Sequence, residues 1–308
     1  MNRRSFLVRS SLFTAAGLLA RPLVSAQAPK AAAAPVVPDF KLLRRDVGVF
    51  SARGGSIGYL AAKDGLAAVD TQFADTAKLF LDGLPGRGGR SLDVLVNSHH
   101  HGDHTGGNGV FKPATKKIVA HANVPALQKA AAERSKSAAS QVYADTTFAA
   151  TWRMDIGSEA ISAKYHGIAH TSGDIVTRFE KANVIHMGDL MFNRLYPVID
   201  RGSGGRFKGW ISVLEDVAKT YPKDAIYIFG HGSAKFGVTG TTADLLTFRD
   251  YLSGLLDYTA KKIKAGEPKE KIVALENLPG FADFHQALPN RLGGNLAAAY
   301  DELTEKQG

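Results

Sequence analysis

Short apolar runs separated by glycine-containing turns organise the chain from residue 47 onward. Such runs are typical of buried strands, and they lie at 47–51, 57–62, 66–70, 92–96, 117–120, 161–165, 175–179, 184–186 and 225–229. Helical spacing of apolar residues occurs instead at 75–84, at 122–136, from 208 onward, at 242–265 and near 297–300. Strands that alternate with helices predict an α/β layered fold.

The first 38 residues have a different pattern. The arginines Arg3 and Arg4 precede an apolar stretch over 11–20, which is too short to span a bilayer as a mature helix. Small residues around Ala26 then favour a cleavage site, with Ala28 as an alternative. A basic N-terminus without a signal function, or a membrane anchor, is the competing interpretation.

These observations predict three parts of the chain. Residues 1–26 form a twin-arginine-type export signal, residues 27–38 form a flexible Ala/Pro linker, and residues 39–308 form one domain. The expected location of the mature protein is the periplasm, without a stable membrane span after cleavage.

Composition narrows the classes of function. The chain has no cysteine, so neither disulfides nor thiolate ligands contribute. Cleavage after Ala26 would remove four arginines and no acidic residue, which lowers the formal net charge from +9 to +5. The remaining basic residues form no run interleaved with aromatic residues, so no nucleic-acid partner is predicted. The oligomeric state stays open.

One glycine-flanked stretch after the run at 92–96 concentrates the candidate chemistry. Six consecutive residues contain four histidines and one aspartate: His99, His100, His101, Asp103 and His104. The run predicts a strand that delivers these side chains to a sheet edge, and Gly106 and Gly107 permit a sharp turn behind them. Imidazole and carboxylate groups suit zinc and its first-row neighbours. A structural role for so many clustered imidazoles is the less favoured alternative.

The pattern His99-x-His101-x-Asp103-His104 resembles the HxHxDH signature of the metallo-β-lactamase fold superfamily. Three later segments, each after a strand-like run, match further ligand segments of that family in order; they contain His170, Asp189 and His231. The resemblance implies a four-layer αβ/βα sandwich. It also implies seven metal ligands: His99, His101 and His170 on one ion, Asp103, His104 and His231 on a second, and Asp189 between them. A turn role is the alternative for each of the last three ligands.

The resemblance further implies a zinc-dependent binuclear hydrolase of a small-molecule substrate. Two Zn²⁺ ions, or iron or manganese with the same ligands, would share a hydroxide that attacks an ester, lactone, thioester or amide, β-lactams included. Asp103 is the expected catalytic residue, which binds the second ion and orients the nucleophile. At position 189, glyoxalase II-type hydrolases carry a bridging aspartate, whereas zinc β-lactamases usually carry Cys or Ser. An iron-dependent oxidoreductase of this fold and a catalytically silent metal-binding protein remain alternatives.

The residues after Asp189 predict a pocket rim. Phe192, Tyr196 and Trp210 are candidates for an apolar lining, with Arg194 as the group that holds a substrate carboxylate. Core packing of Phe192 and Trp210 is an equally favoured interpretation. The remaining histidines match no ligand position and are expected to be structural or exposed: His100, His121, His166, His186 and His285.

Overall fold

The computed structural model describes residues 37–305. The export signal expected over 1–26 lies outside the described residues, and so does the linker expected over 27–38 except for its last two positions. Across residues 37–305, no helix combines the length and the apolar character that a membrane crossing requires.

The first sheet contains seven strands that are neighbours in chain order. They are β1 (Asp39–Arg44), β2 (Val47–Ser51), β3 (Ile57–Ala62), β4 (Gly65–Val69), β5 (Val94–Val96), β6 (Ile118–His121) and β7 (Thr146–Phe148). Strands β1 to β4 pair antiparallel, and β4 to β7 pair parallel. The parallel half places the carboxyl ends of several strands at one edge of the sheet.

The second half of the chain supplies the remaining strands. They are β8 (Thr151–Ile156), β9 (Glu159–Tyr165), β10 (Ile175–Phe179), β11 (Val184–His186), β12 (Phe192–Asn193), β13 (Ile226–Ile228), β14 (His231–Gly232) and β15 (Thr239–Gly240). Six of them form the second sheet in the order β15-β13-β11-β10-β9-β8, and β12 pairs with β14 in a short parallel ribbon. Strands β11 and β13 are parallel, so their carboxyl ends also lie together.

Within residues 37–305, eight α-helices connect and cover the two sheets. They are α1 (Ala74–Gly83), α2 (Gly102–Thr105), α3 (Asn108–Phe111), α4 (Val124–Arg134), α5 (Phe207–Thr220), α6 (Thr242–Lys264), α7 (Lys269–Val273) and α8 (Arg291–Thr304). Helices α1, α3 and α4 lie in the crossovers that parallel strands require. Helices α5, α6 and α8 pack on one another beside the second sheet.

Three apolar cores show how these elements are layered. One core lies between the sheets, because it combines residues of β2, β4 and β5 with residues of β9, β10 and β11. A second packs α1 on the outer face of the first sheet, around Phe80. A third packs α5, α6 and α8 on the outer face of the second sheet, around Trp210 and Phe248. The chain is therefore an α/β four-layer sandwich, as expected.

Strand β5 illustrates why apolar and polar residues do not alternate along the apolar runs. Val94 and Val96 face the core between the sheets, whereas Leu95 faces the core under α1. Because successive side chains point to opposite faces, a strand in an inner layer is apolar on both faces. The histidine-rich segment after β5 was expected to be a simple loop, but it contains the short helix α2.

Candidate metal centre

The seven candidate ligands meet at one edge of the sandwich, where strands of both sheets end. His99 follows β5, Asp189 follows β11 and His231 follows β13. Backbone hydrogen bonds join these segments: Ile175 N donates to Ser98 O at 2.9 Å between the two sheets, and Gly230 N donates to Gly188 O at 2.8 Å within the second sheet. The site is thus built on strand ends and tied together by main-chain contacts.

Three histidines and one carboxylate form the first group. His101 Nδ1 lies 3.2 Å from His99 Nε2 and 3.0 Å from His170 Nε2. Asp189 Oδ2 lies 3.8 Å from His99 Nε2 and 3.6 Å from His170 Nε2. All four side chains therefore direct an electron-pair donor toward one common volume.

The second ring nitrogen of each of these histidines contacts an oxygen atom that can accept a hydrogen bond from it. His99 Nδ1 lies 3.0 Å from Ser98 Oγ, His170 Nδ1 lies 3.0 Å from Val198 O, and His101 Nε2 lies 2.9 Å from Asp200 Oδ2. A ring that donates from one nitrogen offers a lone pair at the other. The three nitrogens that converge are thus all acceptors, and a cation is the partner that such an arrangement fits.

The second group consists of Asp103, His104 and His231. His231 Nε2 lies 3.1 Å from Asp103 Oδ2, and His104 Nε2 lies 3.8 Å from the same oxygen. His104 Nδ1 lies 2.7 Å from Asp70 Oδ2, so the ring donates a hydrogen bond from Nδ1 to that carboxylate and carries its lone pair on Nε2. Asp103 and His231 are partly exposed, whereas His104 is fully buried, so the centre opens on the Asp103 side.

Asp189 joins the two groups with its two carboxylate oxygens. Its Oδ2 faces His99 and His170, whereas its Oδ1 lies 3.0 Å from His104 Nε2 and 3.3 Å from His231 Nε2. Among the residues that the structure describes, Asp189 Oδ1 and His104 Nε2 are buried and have no hydrogen-bond partner. Two buried acceptors that face each other are costly unless a positive group lies between them. This position is the one expected of a bridging carboxylate.

The charges in the two groups differ in a way that follows from burial. Burial lowers the pKa of His99 well below its ordinary value and that of His170 to about 3, so both rings stay neutral. At His104, burial opposes protonation, but the carboxylates of Asp189 and Asp103 outweigh it and raise the pKa.

The same balance raises the pKa of His231 to about 9, mainly through Asp189 against the effect of burial. Burial acts to raise the pKa of Asp103, but His104 and His231 lower it to about 2. The carboxylates of Asp103 and Asp189 therefore attract positive charge, either as protons on His104 and His231 or as a metal cation.

The donor spacing fits first-row metals. Tetrahedral zinc with bonds of about 2.05 Å places its ligand atoms about 3.3 Å apart, and the nitrogen–nitrogen separations around His101 are 3.0 and 3.2 Å. Nitrogen and carboxylate oxygen donors suit zinc, iron and manganese alike. The residues present therefore fit the implied metal ions, and the assignment of individual ligands remains a prediction.

Two glycines let the backbone approach the centre. A Cβ at Gly55 would overlap the ring of His104, and a Cβ at Gly230 would overlap Asp189 Oδ1. Neither position tolerates a side chain without displacing a candidate ligand. The loop before β3 thus packs directly on the centre.

Two carboxylates in contact with the candidate ligands were not among the sequence-based candidates. Asp70 follows β4 and also accepts from Ser98 N and Ser98 Oγ, each at 2.7 Å. Asp200 lies in the loop before α5 and accepts from Ser203 N at 3.0 Å in addition to its contact with His101. The available signal for Asp70 was its place directly after a buried strand, the same context as Asp189.

The other histidines contact protein groups outside the seven-residue centre. His100 Nε2 lies 3.2 Å from Ser203 Oγ, His121 Nε2 lies 3.0 Å from Ala149 O, and His186 Nε2 lies 3.1 Å from Ser56 O. His166 Nδ1 lies 2.6 Å from Asp216 Oδ2. These contacts agree with the structural roles expected for them.

The expected pocket rim is only partly correct. Phe192 and Tyr196 line a cavity beside the centre, but Trp210 is fully buried and donates from Nε1 to Leu190 O at 3.0 Å. Arg194 does not line this cavity. Its guanidinium lies 3.5 Å from Asp244 of α6 and packs over the rings of Phe236 and Phe284.

Fold and site together define an αββα sandwich with a two-part histidine and aspartate centre at the strand ends. The family model described as "Metallo-beta-lactamase superfamily" matches residues 52–231, which is more than half of the chain and contains all seven candidate ligands. The chain belongs to the metallo-beta-lactamase superfamily.

The individual proteins that the chain resembles share 18–25% of its residues in the aligned regions. A hydroxyacylglutathione hydrolase from Rhodospirillum rubrum is 25% identical over 178 residues, which cover 56% of this chain and 59% of the relative. The match thus spans about three fifths of the length of that relative. Among solved structures, a metallo-beta-lactamase from Pontibacter korlensis superposes with a TM-score of 0.59 at 18% identity, over 70% of this chain and 99% of its own. A double mutant of the sec-alkyl sulfatase PisA1 superposes with a TM-score of 0.64 at 18% identity, over 87% of this chain and 50% of its own.

Proposed function

We propose that the chain is a binuclear zinc-dependent hydrolase that cleaves an ester, lactone, thioester or amide bond. The observation that carries this proposal is the placement of Asp189, which directs one oxygen into each of two donor groups. The similarity to a hydroxyacylglutathione hydrolase supports a thioester as the first substrate class to test. A full set of seven donors in two groups also favours two-metal hydrolysis over the iron-dependent oxidoreductase.

Each side chain of the centre would bind one or both of the metal ions. His99, His101 and His170 would hold one ion, His104 and His231 with Asp103 the other, and Asp189 both. Such ions supply Lewis-acid chemistry, which lowers the pKa of water and polarises a carbonyl oxygen. Asp103 would be ionised as a ligand of the second ion and would accept a hydrogen bond from the attacking water. In the metal-free centre, His104 and His231 already lower its pKa to about 2 against the effect of burial. Its partial exposure supports the entry of substrate on this side of the centre.

A turnover assay on the purified mature protein tests the proposal. The panel comprises a thioester, a lactone, an aryl ester and a β-lactam. We expect hydrolysis of at least one class and a loss of kcat of at least about 100-fold in Asp103→Asn, in line with loss of an oriented acid–base group. Asp216→Asn is the matched control, because Asp216 contacts a histidine outside the centre. No hydrolysis of any class, or equal activity in Asp103→Asn, would refute the proposal.

We further propose that residues 1–26 direct export to the periplasm through the twin-arginine route and are then removed. The paired arginines before a short apolar stretch support this proposal. In cell fractionation, Arg3→Lys together with Arg4→Lys should retain the precursor inside the cell, whereas Arg9→Lys should not. Equal processing of both variants would contradict the proposal.

A further inference from the structure

A small apolar pocket opens directly from the candidate metal centre. Its walls include side chains of the centre itself together with Phe192, Leu195, Tyr196, Val198, Leu288 and Arg291. Its volume is about 170 Å³, well below the roughly 300–1,000 Å³ of sites for drug-sized ligands. It therefore fits a short substrate chain.

The inner wall of the pocket is preformed. Phe192 stacks on the ring of His231, with centroids 5.1 Å apart and planes at 18°. Tyr196 stacks on Tyr251, with centroids 5.6 Å apart and planes also at 18°. Rings fixed by stacking lose little entropy when a ligand binds, so this wall is suited to select an apolar chain by its shape.

The outer wall comes from the segment before α8 and from its first turn. Tyr196 N donates to His285 O at 2.9 Å, and the Asn295 carboxamide, oriented to satisfy both of its atoms, donates to Pro197 O at 2.9 Å. These contacts hold Leu288 and Arg291 beside the pocket. Leu288 is 57% exposed, although it is a large apolar residue. A chain in the pocket would cover it.

Arg291 is the cationic side chain of the pocket wall. Within residues 37–305, its guanidinium makes no ion pair or hydrogen bond, and only its backbone N–H donates, to Gln286 Oε1. The nearby Arg194, by contrast, is engaged by Asp244 and two phenylalanines. A free guanidinium fork beside an apolar cavity matches a carboxylate in charge and in geometry.

We propose that this pocket makes the enzyme selective for acyl groups that are short apolar chains ending in a carboxylate, with Arg291 binding that carboxylate. The proposal rests on the hydrolase function above and names its substrate class. Hydrolysis forms a bond between the water oxygen and the acyl carbon and breaks the bond to the leaving oxygen or sulfur, which takes the proton. The products are a dicarboxylic acid and an alcohol or thiol.

Paired substrates test the selectivity. The probes are 4-nitrophenyl monoesters of linear dicarboxylic acids of four to eight carbons, each compared with the uncharged alkanoyl ester of equal length. We expect kcat/KM to favour the carboxylate member and to peak within the series. Arg291→Gln should raise KM for that member about 10- to 100-fold, the range for a lost charge-assisted hydrogen bond. The uncharged member should change less than about twofold, and Arg291→Lys should keep part of the preference.

Lys264→Gln is the matched control, because it removes one exposed charge at the end of α6. Hydrolysis of both ester series without a preference, or a preference that Arg291→Gln leaves intact, would overturn the proposal while the hydrolase function stands. Hydrolysis of neither series, nor of any other carbonyl substrate, would overturn both. A calorimetric titration adds a readout that does not need turnover: a dicarboxylate should bind more tightly than the monocarboxylate of equal length, and Arg291→Gln should abolish the difference.

Discussion

The contact between Asp200 and His101 gives a sharp test of how the protein prepares its metal ligands. In the native chain, Asp200 Oδ2 lies 2.9 Å from His101 Nε2, and Asp200 Oδ1 accepts from Ser203 N. Asp200→Asn keeps the shape but replaces one oxygen with an amino group. If the remaining oxygen stays on Ser203, the amino group faces His101 Nε2 and favours the tautomer with its proton on Nδ1, the atom directed into the centre.

The magnitude follows from the type of contact. A hydrogen bond to a charged group contributes about 1.5–3 kcal/mol, and loss of the outer partner of a metal-binding histidine typically costs 10- to 100-fold in affinity. Asp200 and His101 are each 21% exposed, so water compensates part of the loss. We therefore expect about a tenfold weaker zinc affinity, or about 1.4 kcal/mol.

A chelator-competition titration of zinc on the metal-free protein measures this effect. Asp216→Asn is the control, because Asp216 makes a similar contact at 2.6 Å with His166, which lies outside the centre. The control should bind zinc as tightly as the wild type. Equal zinc affinity in wild type and Asp200→Asn would refute the view that Asp200 fixes the tautomer of His101.

Further predictions concern the groups around the centre. Asp70→Asn should lower the free energy of unfolding by about 2 kcal/mol, because Asp70 is fully buried and accepts hydrogen bonds from Ser98 and His104. Urea denaturation of the metal-free protein measures this change, and an unchanged midpoint and slope would contradict the prediction. Gly55→Ala should reduce kcat at least about tenfold, since the new methyl group would overlap His104. Gly294→Ala is the control: position 294 has open space in α8, so this variant should retain activity, and its free energy of unfolding should rise by up to about 1 kcal/mol. Equal activity of both variants would show that the close approach of Gly55 to His104 is unimportant. Trp210→Phe should cost about 1–3 kcal/mol because the buried Leu190 carbonyl loses its donor, which thermal unfolding would reveal as a lower Tm. Chelation of the metal should also lower Tm, and zinc at about 100 times its Kd should restore about 2.7 kcal/mol; a Tm that ignores zinc would indicate that these donors bind no ion.

The alternation of strands and helices predicted an α/β layered fold, whereas the resemblance of four segments to the metallo-β-lactamase superfamily implied the four layers and the seven ligands. The position of these segments explains why their side chains meet. Each candidate segment directly follows an apolar run, and the chemistry-bearing residues cluster after strands β5, β11 and β13. The carboxyl ends of parallel strands share one edge, so residues far apart in the chain meet there. Short-range patterns therefore carried information about a long-range site.

The supporting carboxylates could not be predicted in the same way. Asp200 contacts His101 from 99 positions away, and Asp70 contacts His104 from 34 positions away. No local spacing encodes such contacts, which depend on how loops pack after the sheets have formed. Arg194 shows the opposite error: its place after Asp189 favoured a role in substrate binding, but its guanidinium lies beside Asp244 on α6.

The role of Arg291 in the pocket wall also could not be predicted from the sequence. Arg291 lies in the first turn of α8, about 100 residues after the last strand of the pocket rim, β12. Its sequence context is an ordinary helix start, and only the return of the chain beside Tyr196 brings it to the metal centre. Tertiary packing, which sequence periodicity does not contain, thus supplies the group that we propose selects the substrate.

Elemental analysis of the purified mature protein tests the central claim most directly. The account predicts close to two zinc ions per chain in the wild type and at most about one in Asp189→Asn, because that side chain directs one oxygen into each donor group. One iron ion per chain in the wild type, with no second metal bound when zinc is supplied, would contradict the account and favour the iron-dependent oxidoreductase.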